Sequence, residues 1–505
     1  MKQRVIFCCL LLLCWPLIGD AGDSAAPLPE ELVLARAQPA VFMIRASGNI
    51  EVSYPKYVTT IGRSITSQSK AIALLDGLGS VLEAEYARDL RDGMIAKNKT
   101  RSEYFWEKIA ENPGKYLAAS QERESRSFEN VSYSSGTGFA VSREGILLTN
   151  AHVVADMEGA ELLSQLGFVL TLLGQPIDDI VASLSKELEG EPTKVAIINL
   201  IKWFALQSSA KAIFKQAYVV LDFGPPESVE NWQKQHGTGE SVLQTILEYD
   251  RTRRPLTVPA KVLATGQPLP GRDVAVLKIE PELVFYDFLR SGLPSSRAKS
   301  SAHVDAQDRL ICLSLGDSDA VFAGAPIRAM GFPGAAFNPA IMAPESQFRV
   351  SNQPGYISTT KPMQSGWRAL EMTYSTGPGN SGGPVLDQQG NVIGVHVGGA
   401  TKEANLKLAV PINVAKEFLK QAGIQPDPGP LTRQWVEGMQ LFGSGRYTEA
   451  YVKFLDVLNQ QSMSLTLSDG TKTAVFSDQL KQYGNPYVHD MLKRAESKKS
   501  QSEKQ

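Results

Sequence analysis

The amino-acid sequence predicts a mostly β protein with two helical insertions in its N-terminal half and a C-terminal helical hairpin. Short apolar runs typical of buried strands recur along the chain, at residues 40–44, 138–141, 146–148 and 274–279. Between them, apolar residues recur at helical spacing in two blocks, about 57–126 and 157–249. With 505 residues, the chain has room for a large core and more than one domain.

A glycine-rich hexapeptide, Gly379–Pro384 (GNSGGP), places Ser381 between glycines. Glycine permits tight backbone turns, and a turn here can aim the N–H groups of Gly379 and Ser381 at one point. A serine hydroxyl needs a base before it becomes a good nucleophile, and the carbonyl it attacks needs donors for the resulting oxyanion. The hexapeptide therefore predicts that Ser381 is a nucleophile and that Gly379, Asn380 and Ser381 form an oxyanion hole.

Two further motifs offer a base and an orienting acid. The chain has five histidines, and His152 follows a predicted strand within Thr149–Val154 (TNAHVV). Asp273 stands at the head of another apolar strand, where an unpaired charge would be costly. Each residue alone is equally an ordinary core histidine, strand-capping aspartate or loop serine. The chain order His152, Asp273, Ser381 is the chymotrypsin order, and together the three motifs predict a catalytic triad.

Several separate blocks, spread over a catalytic module of roughly half of the chain, resemble the trypsin-like HtrA (Deg) proteases. The blocks are Gly136–Val154, Asp273–Ile279, Leu315–Asp319, Ala329–Gly334, Pro378–Gly383 and Ala409–Ile412. The resemblance implies two packed antiparallel β-barrels of chymotrypsin type with the triad in the cleft between them. It also implies a serine endopeptidase in which Ser381 attacks, His152 transfers the proton and Asp273 orients His152.

The sequence departs from this family in the spacing of its motifs and in its C-terminal region. The family separates its His and Asp motifs by a few tens of residues, whereas 121 positions separate His152 from Asp273. The family usually carries PDZ domains after the protease, and no such pattern follows Ala415. The long spacing is what the second helical insertion would produce.

A third departure concerns His396, in the strand that follows Ser381. In this fold that strand lines the pocket for the substrate residue before the cut, and the HtrA pattern has Asn there. The segment instead resembles glutamyl endopeptidases and viral proteases that cut after Gln, in which this His binds the acidic or amide side chain. Thr376 matches a pocket hydroxyl of glutamyl endopeptidases, and Val397 and Gly398 continue the wall. We predict cleavage after Glu or Gln, helped by a protonated His396. The alternative is a His packed in the barrel, with preference for small aliphatic residues.

The first 21 residues are predicted to be a secretory signal peptide. Lys2 and Arg4 precede an apolar run over 5–18, and small residues follow it. Three of the four cysteines lie in this segment, which leaves only Cys312 in the mature chain. No disulfide within one chain and no metal site are therefore expected. An exported protein of this kind, with its resemblance to HtrA enzymes, fits a bacterial periplasm.

The protease domain is predicted over residues 22–424, and the Pro- and Gly-rich stretch 425–430 begins a helical region that continues to residue 505. In that region, six residues match the spacing of one tetratricopeptide repeat: Gly438, Gly445, Tyr447, Ala450, Phe454 and Leu458. One repeat cannot bury its own apolar face. The region is therefore either a helical hairpin packed on the protease or a platform for a protein partner. The charged tail after Ser497 is expected to be disordered.

Composition limits the classes of partner. The net charge is −2, with acids and bases interspersed, so neither nucleic acid nor an anionic membrane is expected as the main partner. The amphipathic stretch 195–204 is interrupted by polar and charged residues, which favours packing between the insertions over an interfacial membrane helix. No cofactor is expected, and the predicted substrates are proteins or peptides.

The predicted function is an exported serine endopeptidase, with protein quality control as a possible role. The competing hypothesis is a non-catalytic or chaperone-like binding protein that keeps the protease fold and uses its helical regions for partners. The block at 157–249 replaces a loop that borders the substrate cleft. It is either a lid that restricts access or an element that stabilises the fold or an oligomer.

Overall fold

Of the 505 residues, the computed structural model describes 28–61, 73–75, 77–96, 99–158, 162–163, 166–222, 256–280, 282–283, 302–303, 310–333, 349–375, 377–397, 407–461, 465–467, 472–473 and 485–502. The predicted signal peptide, Thr376, Gly398 and residues 223–249 of the second predicted insertion lie outside these ranges.

The strands and helices alternate in a pattern of two β-rich parts with helices between and after them. The strands are β1 (Val41–Pro55), β2 (Val58–Thr60), β3 (Ala73–Leu74), β4 (Leu117–Ala119), β5 (Arg123–Ser142), β6 (Ile146–Thr149), β7 (Met157–Glu158), β8 (Ser209–Asp222), β9 (Leu256–Thr265), β10 (Ala275–Ile279), β11 (Glu282–Leu283), β12 (Ala302–His303), β13 (Pro326–Gly331), β14 (Ser351–Pro362), β15 (Arg368–Thr373), β16 (Pro384–Leu386), β17 (Val392–Val397), β18 (Lys407–Pro411), β19 (Leu465–Leu467) and β20 (Lys472–Thr473). The helices are α1 (Glu30–Ala37), α2 (Leu78–Arg91), α3 (Arg101–Glu111), α4 (Pro113–Tyr116), α5 (Leu166–Glu187), α6 (Lys194–Leu206), α7 (Ile412–Gln421), α8 (Gly429–Gly443), α9 (Tyr447–Gln461) and α10 (Pro486–Ser502).

The N-terminal barrel is an antiparallel sheet in the order β1-β5-β6-β10-β9-β8, closed by pairing of β8 with β1, with β7 at its edge. Side chains that alternate along the strands fill its interior, among them Phe42 and Ile44 of β1 and Leu277 of β10. The prediction of a strand at residues 40–44 is confirmed, since β1 begins at Val41.

The C-terminal barrel is closed as well, in the order β13-β14-β15-β18-β17-β16. Ile327, Leu370, Val385 and Ile393 lie in its core. Two small sheets accompany the barrels: β3-β2-β4 and β11-β12-β19-β20. The predicted fold class, two antiparallel barrels with helical insertions and C-terminal helices, is confirmed.

The two insertions share one core, which α2 to α6 form together with the outer ends of β1, β5 and β8. The side-chain amide of Asn199 in α6 donates to the carbonyl of Ala110 in α3 at 2.8 Å. The indole N–H of Trp106 in α3 donates to the carbonyl of Gly190, between α5 and α6, at 2.9 Å. Buried apolar residues of both insertions pack together, which confirms that the stretch 195–204 packs between them.

The predicted helical block at 157–249 needs a correction. Its helices end at Leu206, and Ser209–Asp222 is β8, a full strand of the N-terminal barrel. The alternating burial of Ala210 and Ala212 has the period of a strand, and the apolar stretch of the preceding helix masked that signal. Any deletion that tests the lid hypothesis must therefore stop before Ser209.

The C-terminal helices α8, α9 and α10 pack on the barrels and on α1. Their apolar residues join the core of the barrel interface, among them the fully buried Trp435 of α8. Gly438 allows close contact between α8 and α9, because a β-carbon there would lie 2.7 Å from the ring of Phe454. The stretch 425–430 lies against the N-terminal barrel, where the backbone N–H of Arg143 donates to the carbonyl of Asp427 at 2.7 Å.

The prediction of a disordered tail after Ser497 is wrong for most of that segment, because α10 continues to Ser502. Alanine, glutamate, lysine and arginine are good helix formers, so charge alone did not break the helix. Lys499 also lies over the ring of Tyr451, at 5.6 Å from its centre. None of the helices in the described parts of the chain combines the length and the apolar composition that a membrane crossing would need.

Candidate active site

His152 and Asp273 meet at the ends of two paired strands. His152 lies in a short 3-10 turn, Ala151–Val154, directly after β6, and Asp273 lies just before β10. Because Thr149 of β6 pairs with Ala275 of β10, the two ends are adjacent. His152 Nδ1 lies 2.6 Å from Asp273 Oδ2, and the His152 backbone N–H donates to Asp273 Oδ1 at 2.9 Å.

The surroundings of this pair fix the orientation of the imidazole. The Asp273 side chain is only 1% exposed, whereas that of His152 is 34% exposed. The side-chain amide of Asn150 donates to the Asp273 carbonyl at 2.6 Å and holds the backbone of Asp273. Because a carboxylate only accepts, Nδ1 of His152 carries the proton and Nε2 is left as the basic nitrogen.

The turn around Ser381 depends on glycine at two positions. Gly379 has φ 99° and Gly382 has φ 86°, both in the region that favours glycine. A β-carbon at Gly382 would lie 2.1 Å from the carbonyl oxygen of Thr137, so no side chain fits there. The turn is tied to β17, because the Gly382 N–H donates to the His396 carbonyl at 2.8 Å.

The nucleophile turn and the His152 turn lie side by side at the barrel interface. A β-carbon on Gly136 would lie 2.6 Å from the Val153 side chain and 2.9 Å from the Ser381 carbonyl oxygen, so both are in contact with the same glycine. Asn380 is buried, and its backbone N–H donates within the turn to Gly377 at 3.4 Å. The N–H groups of Gly379 and Ser381 are therefore the candidate oxyanion donors, with Asn380 between them.

Sequence reasoning did not single out Thr137 or Tyr374. Thr137 is fully buried and makes four hydrogen bonds around the nucleophile turn. Tyr374 makes a short contact through its hydroxyl with Nδ1 of His396. Thr137 stands between two glycines, which is a signal that could have indicated it, whereas Tyr374 lies among other polar residues that follow β15 and carries no such signal.

His396 is fully buried, and both of its ring nitrogens are engaged inside the C-terminal barrel. Nδ1 faces the Tyr374 hydroxyl, and a hydrogen bond to the backbone of Leu408 favours the protonated ring, so Leu408 acts as an acceptor. With Nδ1 facing Tyr374, the nitrogen that donates to Leu408 is Nε2. Val397 continues the same buried strand.

Burial is the main reason why the pKa of His396 falls to about 3, and electrostatic interactions with Lys407 and with His152 lower it further. The bond to Leu408 opposes this shift without cancelling it. Burial likewise raises the pKa of Tyr374, so its hydroxyl stays protonated and available to donate. The predicted charge assistance from a protonated His396 is therefore wrong near neutral pH, where the ring is neutral.

This neutral histidine should make the fold sensitive to acid. The unfolded chain protonates His396 near pH 6.5, whereas the folded protein does so only near pH 3, so the unfolded state binds more protons between these values. The stabilisation that the neutral His396 gives the folded state is complete above pH 6.5 and is lost as the pH falls toward 3. This loss should lower the free energy of unfolding by about 3 kcal/mol between pH 7 and pH 4.

Urea unfolding of the wild type and of His396→Gln at pH 7, 6, 5 and 4 measures this effect. Glutamine offers a donor and an acceptor but does not titrate, and the other ionisable groups, His489 among them, are common to both proteins. We expect the wild type to lose more stability than the variant at each step. Parallel stability curves for the two proteins would contradict the prediction.

Within the described ranges, no group of three His, Cys, Asp or Glu side chains could hold a metal ion. Cys312, the free thiol in those ranges, is buried, and burial raises its pKa to about 12, so it is a poor nucleophile and a poor ligand. The chemistry that the site supports is that of a serine, a histidine and a carboxylate.

Comparison with known proteins agrees with this geometry. Residues 217–395 match a family model described as a trypsin-like peptidase domain. The fold is of the chymotrypsin type. The match spans a little over a third of the chain, includes Asp273 and Ser381, and begins after His152 and the helices of the second insertion. It supports a trypsin-like serine protease.

Among solved structures, those of the HtrA-type protease AlgW are similar to this chain. A variant of AlgW with a decapeptide is 15% identical, with a TM-score of 0.31, and the likeness covers 78% of this chain and 66% of that one. AlgW with a tripeptide is 16% identical, with a TM-score of 0.31, and the likeness covers 79% of this chain and 64% of that one. The chain thus spans slightly less than two thirds of the length of these structures. No curated protein matches it.

Proposed function

We propose that this chain is a serine endopeptidase that hydrolyses peptide bonds through an acyl-enzyme on Ser381. The observation that carries the proposal is the 2.6 Å contact between His152 Nδ1 and the buried Asp273 carboxylate, beside the glycine turn that holds Ser381. The trypsin-like peptidase match over 217–395 supports the same chemistry.

In the proposed reaction, Nε2 of His152 takes the proton of the Ser381 hydroxyl as the oxygen attacks the substrate carbonyl carbon. The N–H groups of Gly379 and Ser381 donate to the oxyanion. His152 then passes the proton to the leaving amine, and the substrate remains as an ester of Ser381. Water, deprotonated by His152, then attacks the ester carbonyl; the bond between the acyl carbon and the Ser381 oxygen breaks, the carboxylic acid product leaves, and His152 returns the proton to the Ser381 oxygen. Asp273 keeps Nδ1 protonated throughout and stabilises the positive ring that forms.

Covalent labelling with a fluorophosphonate probe tests the proposal, because the probe reacts with an activated serine and needs no known substrate. Peptide mapping should place the adduct on Ser381, and the same preparation should cleave unfolded casein. Heat-denatured protein serves as the control and should not react. A folded chain that neither reacts nor cleaves would refute the proposal and favour the non-catalytic or chaperone-like binding protein.

We also propose that the protein is exported to the periplasm and takes part in protein quality control. The basic and apolar start of the sequence supports export, and Cys312, the cysteine among the residues that the structure describes, is a free thiol, as a chain without disulfides requires. Most apolar residues of the C-terminal helices are buried on the barrels and α1, and Val452 and Leu455 of α9 are the exposed exceptions among the described large apolar residues of these helices. This favours a structural role for the tetratricopeptide-like spacing over a platform that binds a protein partner.

We propose that the pocket before the cut accepts an uncharged side chain, glutamine in preference to glutamate. Thr376, His396, Val397 and Gly398 remain its proposed wall. A neutral imidazole can bind an amide, whereas a buried carboxylate beside it would be an unpaired charge. Glutamine would take over the Nε2 hydrogen bond that Leu408 accepts without substrate.

Matched peptides that differ only in Gln, Glu, Val or Ala before the cut test this specificity. At pH 7 we expect kcat/KM for Gln to exceed that for Glu by at least about tenfold, because of the buried charge. His396→Ala should lower cleavage after Gln far more than cleavage after Val. Tyr374→Phe removes the hydroxyl that binds Nδ1 of His396. It should raise the ratio of kcat/KM for cleavage after Glu to kcat/KM for cleavage after Gln. Wild-type cleavage dominated by Val and Ala would contradict the proposed pocket and leave the triad untouched.

A further inference from the structure

Thr137 joins the nucleophile turn to both barrels through four hydrogen bonds. It lies in β5 of the N-terminal barrel, and its backbone N–H donates to the carbonyl of Ser381 at 2.7 Å. Its hydroxyl donates to the carbonyl of Gly379 at 2.7 Å and accepts from the N–H of Phe332, just after β13, at 3.0 Å. Its own carbonyl accepts from the hydroxyl of Thr149 at 2.6 Å.

These bonds involve the two residues whose N–H groups are the candidate oxyanion donors. The carbonyls of Gly379 and Ser381 are both held by Thr137, one by its hydroxyl and one by its backbone. The two held carbonyls belong to the Gly379–Asn380 and Ser381–Gly382 peptide planes. Fixing both restricts rotation of the Asn380–Ser381 plane between them, which carries the Ser381 N–H, and fixes the chain directly after the Gly379 N–H. Because Gly379 has no side chain and adopts φ 99°, the turn itself offers little resistance to rotation.

The surroundings of Thr137 leave no room for the turn to settle elsewhere. A β-carbon on Gly331 would lie 2.9 Å from the Thr137 hydroxyl and 2.6 Å from the Asn380 side chain. On another side, the backbone of Gly382 approaches the Thr137 carbonyl so closely that a β-carbon would lie 2.1 Å from it. Thr137 itself is completely buried, so water does not compete for its hydrogen bonds.

We propose that Thr137 is a positioning residue that sets the geometry of the oxyanion hole, an inference that rests on the proposed peptidase function. It touches none of the reacting atoms and acts through the carbonyls of Gly379 and Ser381. Oxyanion donors act in the transition state, when the charge on the oxygen develops. Loss of the Thr137 hydroxyl should therefore lower kcat while KM changes little.

Thr137→Val tests the inference, because valine keeps the shape of threonine and removes only the hydroxyl. We expect kcat to fall by about 10- to 100-fold, less than for outright loss of an oxyanion donor because the donors are displaced and not removed. KM should stay within about twofold. Thr137→Ser keeps the hydroxyl and should recover most of the rate. The midpoint of the pH dependence of kcat should not change, because the His152–Asp273 pair is unchanged.

Thr432→Val is the matched control. Thr432 lies in α8, away from the nucleophile turn, and is also buried. Its hydroxyl accepts from the backbone N–H of Cys312 at 3.0 Å. It should lower the melting temperature as Thr137→Val does but leave kcat unchanged. A kcat for Thr137→Val within twofold of the wild type, or equal losses of kcat in both valine variants, would overturn the inference. A wild type that neither cleaves nor reacts with fluorophosphonate would instead refute the proposed function on which it rests.

Discussion

Replacing Ser381 with alanine should lower the turnover of peptide or casein by about a millionfold, to the residual rate that binding and the oxyanion hole alone supply. The loss is large because the proposed mechanism has no second nucleophile. Fluorophosphonate labelling should disappear with the same substitution. The effect is measured as initial rates with a fluorogenic peptide, at enzyme concentrations high enough to detect the residual activity.

Ser318→Ala is the matched control for this experiment. Ser318 is also a buried serine, and its hydroxyl accepts from the backbone N–H of Asn413 at 3.1 Å, outside the candidate site. The control should keep its kcat and its labelling. If Ser381→Ala, freed of contaminating protease, cleaves casein at the wild-type rate, Ser381 is not the nucleophile.

Asp273→Asn should lower kcat by about 10⁴-fold while the fold survives. The backbone N–H of His152 donates to Oδ1, and an asparagine keeps its oxygen there to accept this bond. Its NH₂ group must then occupy the position of Oδ2 and face His152 Nδ1. A donor in that place requires Nδ1 without a proton, so the proton moves to Nε2, which can no longer accept one from Ser381.

The tautomer itself can be measured by nitrogen NMR of the His152 ring, alongside kcat and the melting temperature. Asp387→Asn is the matched control, because Asp387 also accepts backbone N–H groups, from Gln389 at 2.9 Å and Asn391 at 2.8 Å, but lies outside the site. It should change stability and not kcat. A kcat for Asp273→Asn within tenfold of the wild type, or a ring that still carries its proton on Nδ1, would contradict the mechanism.

The barrels and the His152–Asp273 contact could be predicted from sequence because each depends on short motifs. A strand followed or preceded directly by a residue that takes part in the chemistry is a local pattern. The contact between His152 and Asp273 follows once β6 and β10 pair. The extent of β8 was not predicted, because the strand begins only three residues after the end of the apolar helix α6 and falls within the same predicted helical block. The end of α10 was missed because a charged segment with good helix formers has the composition of a disordered tail.

The roles of Thr137 and the protonation of His396 could not be predicted for another reason. Both depend on atoms from segments far apart in the chain: Thr137 bonds to residues at 379 and 381, and His396 loses its charge by burial among β15, β17 and β18. The sequence of a strand does not reveal whether a histidine within it is neutral or charged. Its environment, and not its type, sets its pKa.

The contact between α1 and the C-terminal helices has a consequence for the order of events during folding. The indole N–H of Trp435 donates to the carbonyl of Arg36 at 2.8 Å, and the amide of Asn485 donates to the carbonyl of Pro39 at 3.2 Å, directly before β1. The entry into the first barrel strand is thus held by residues 399 and 446 positions further along the chain. Contacts so distant in sequence form slowly. We expect the start of β1 to be fixed only once α8 and the segment before α10 have docked, which would place the appearance of any proteolytic activity late in folding.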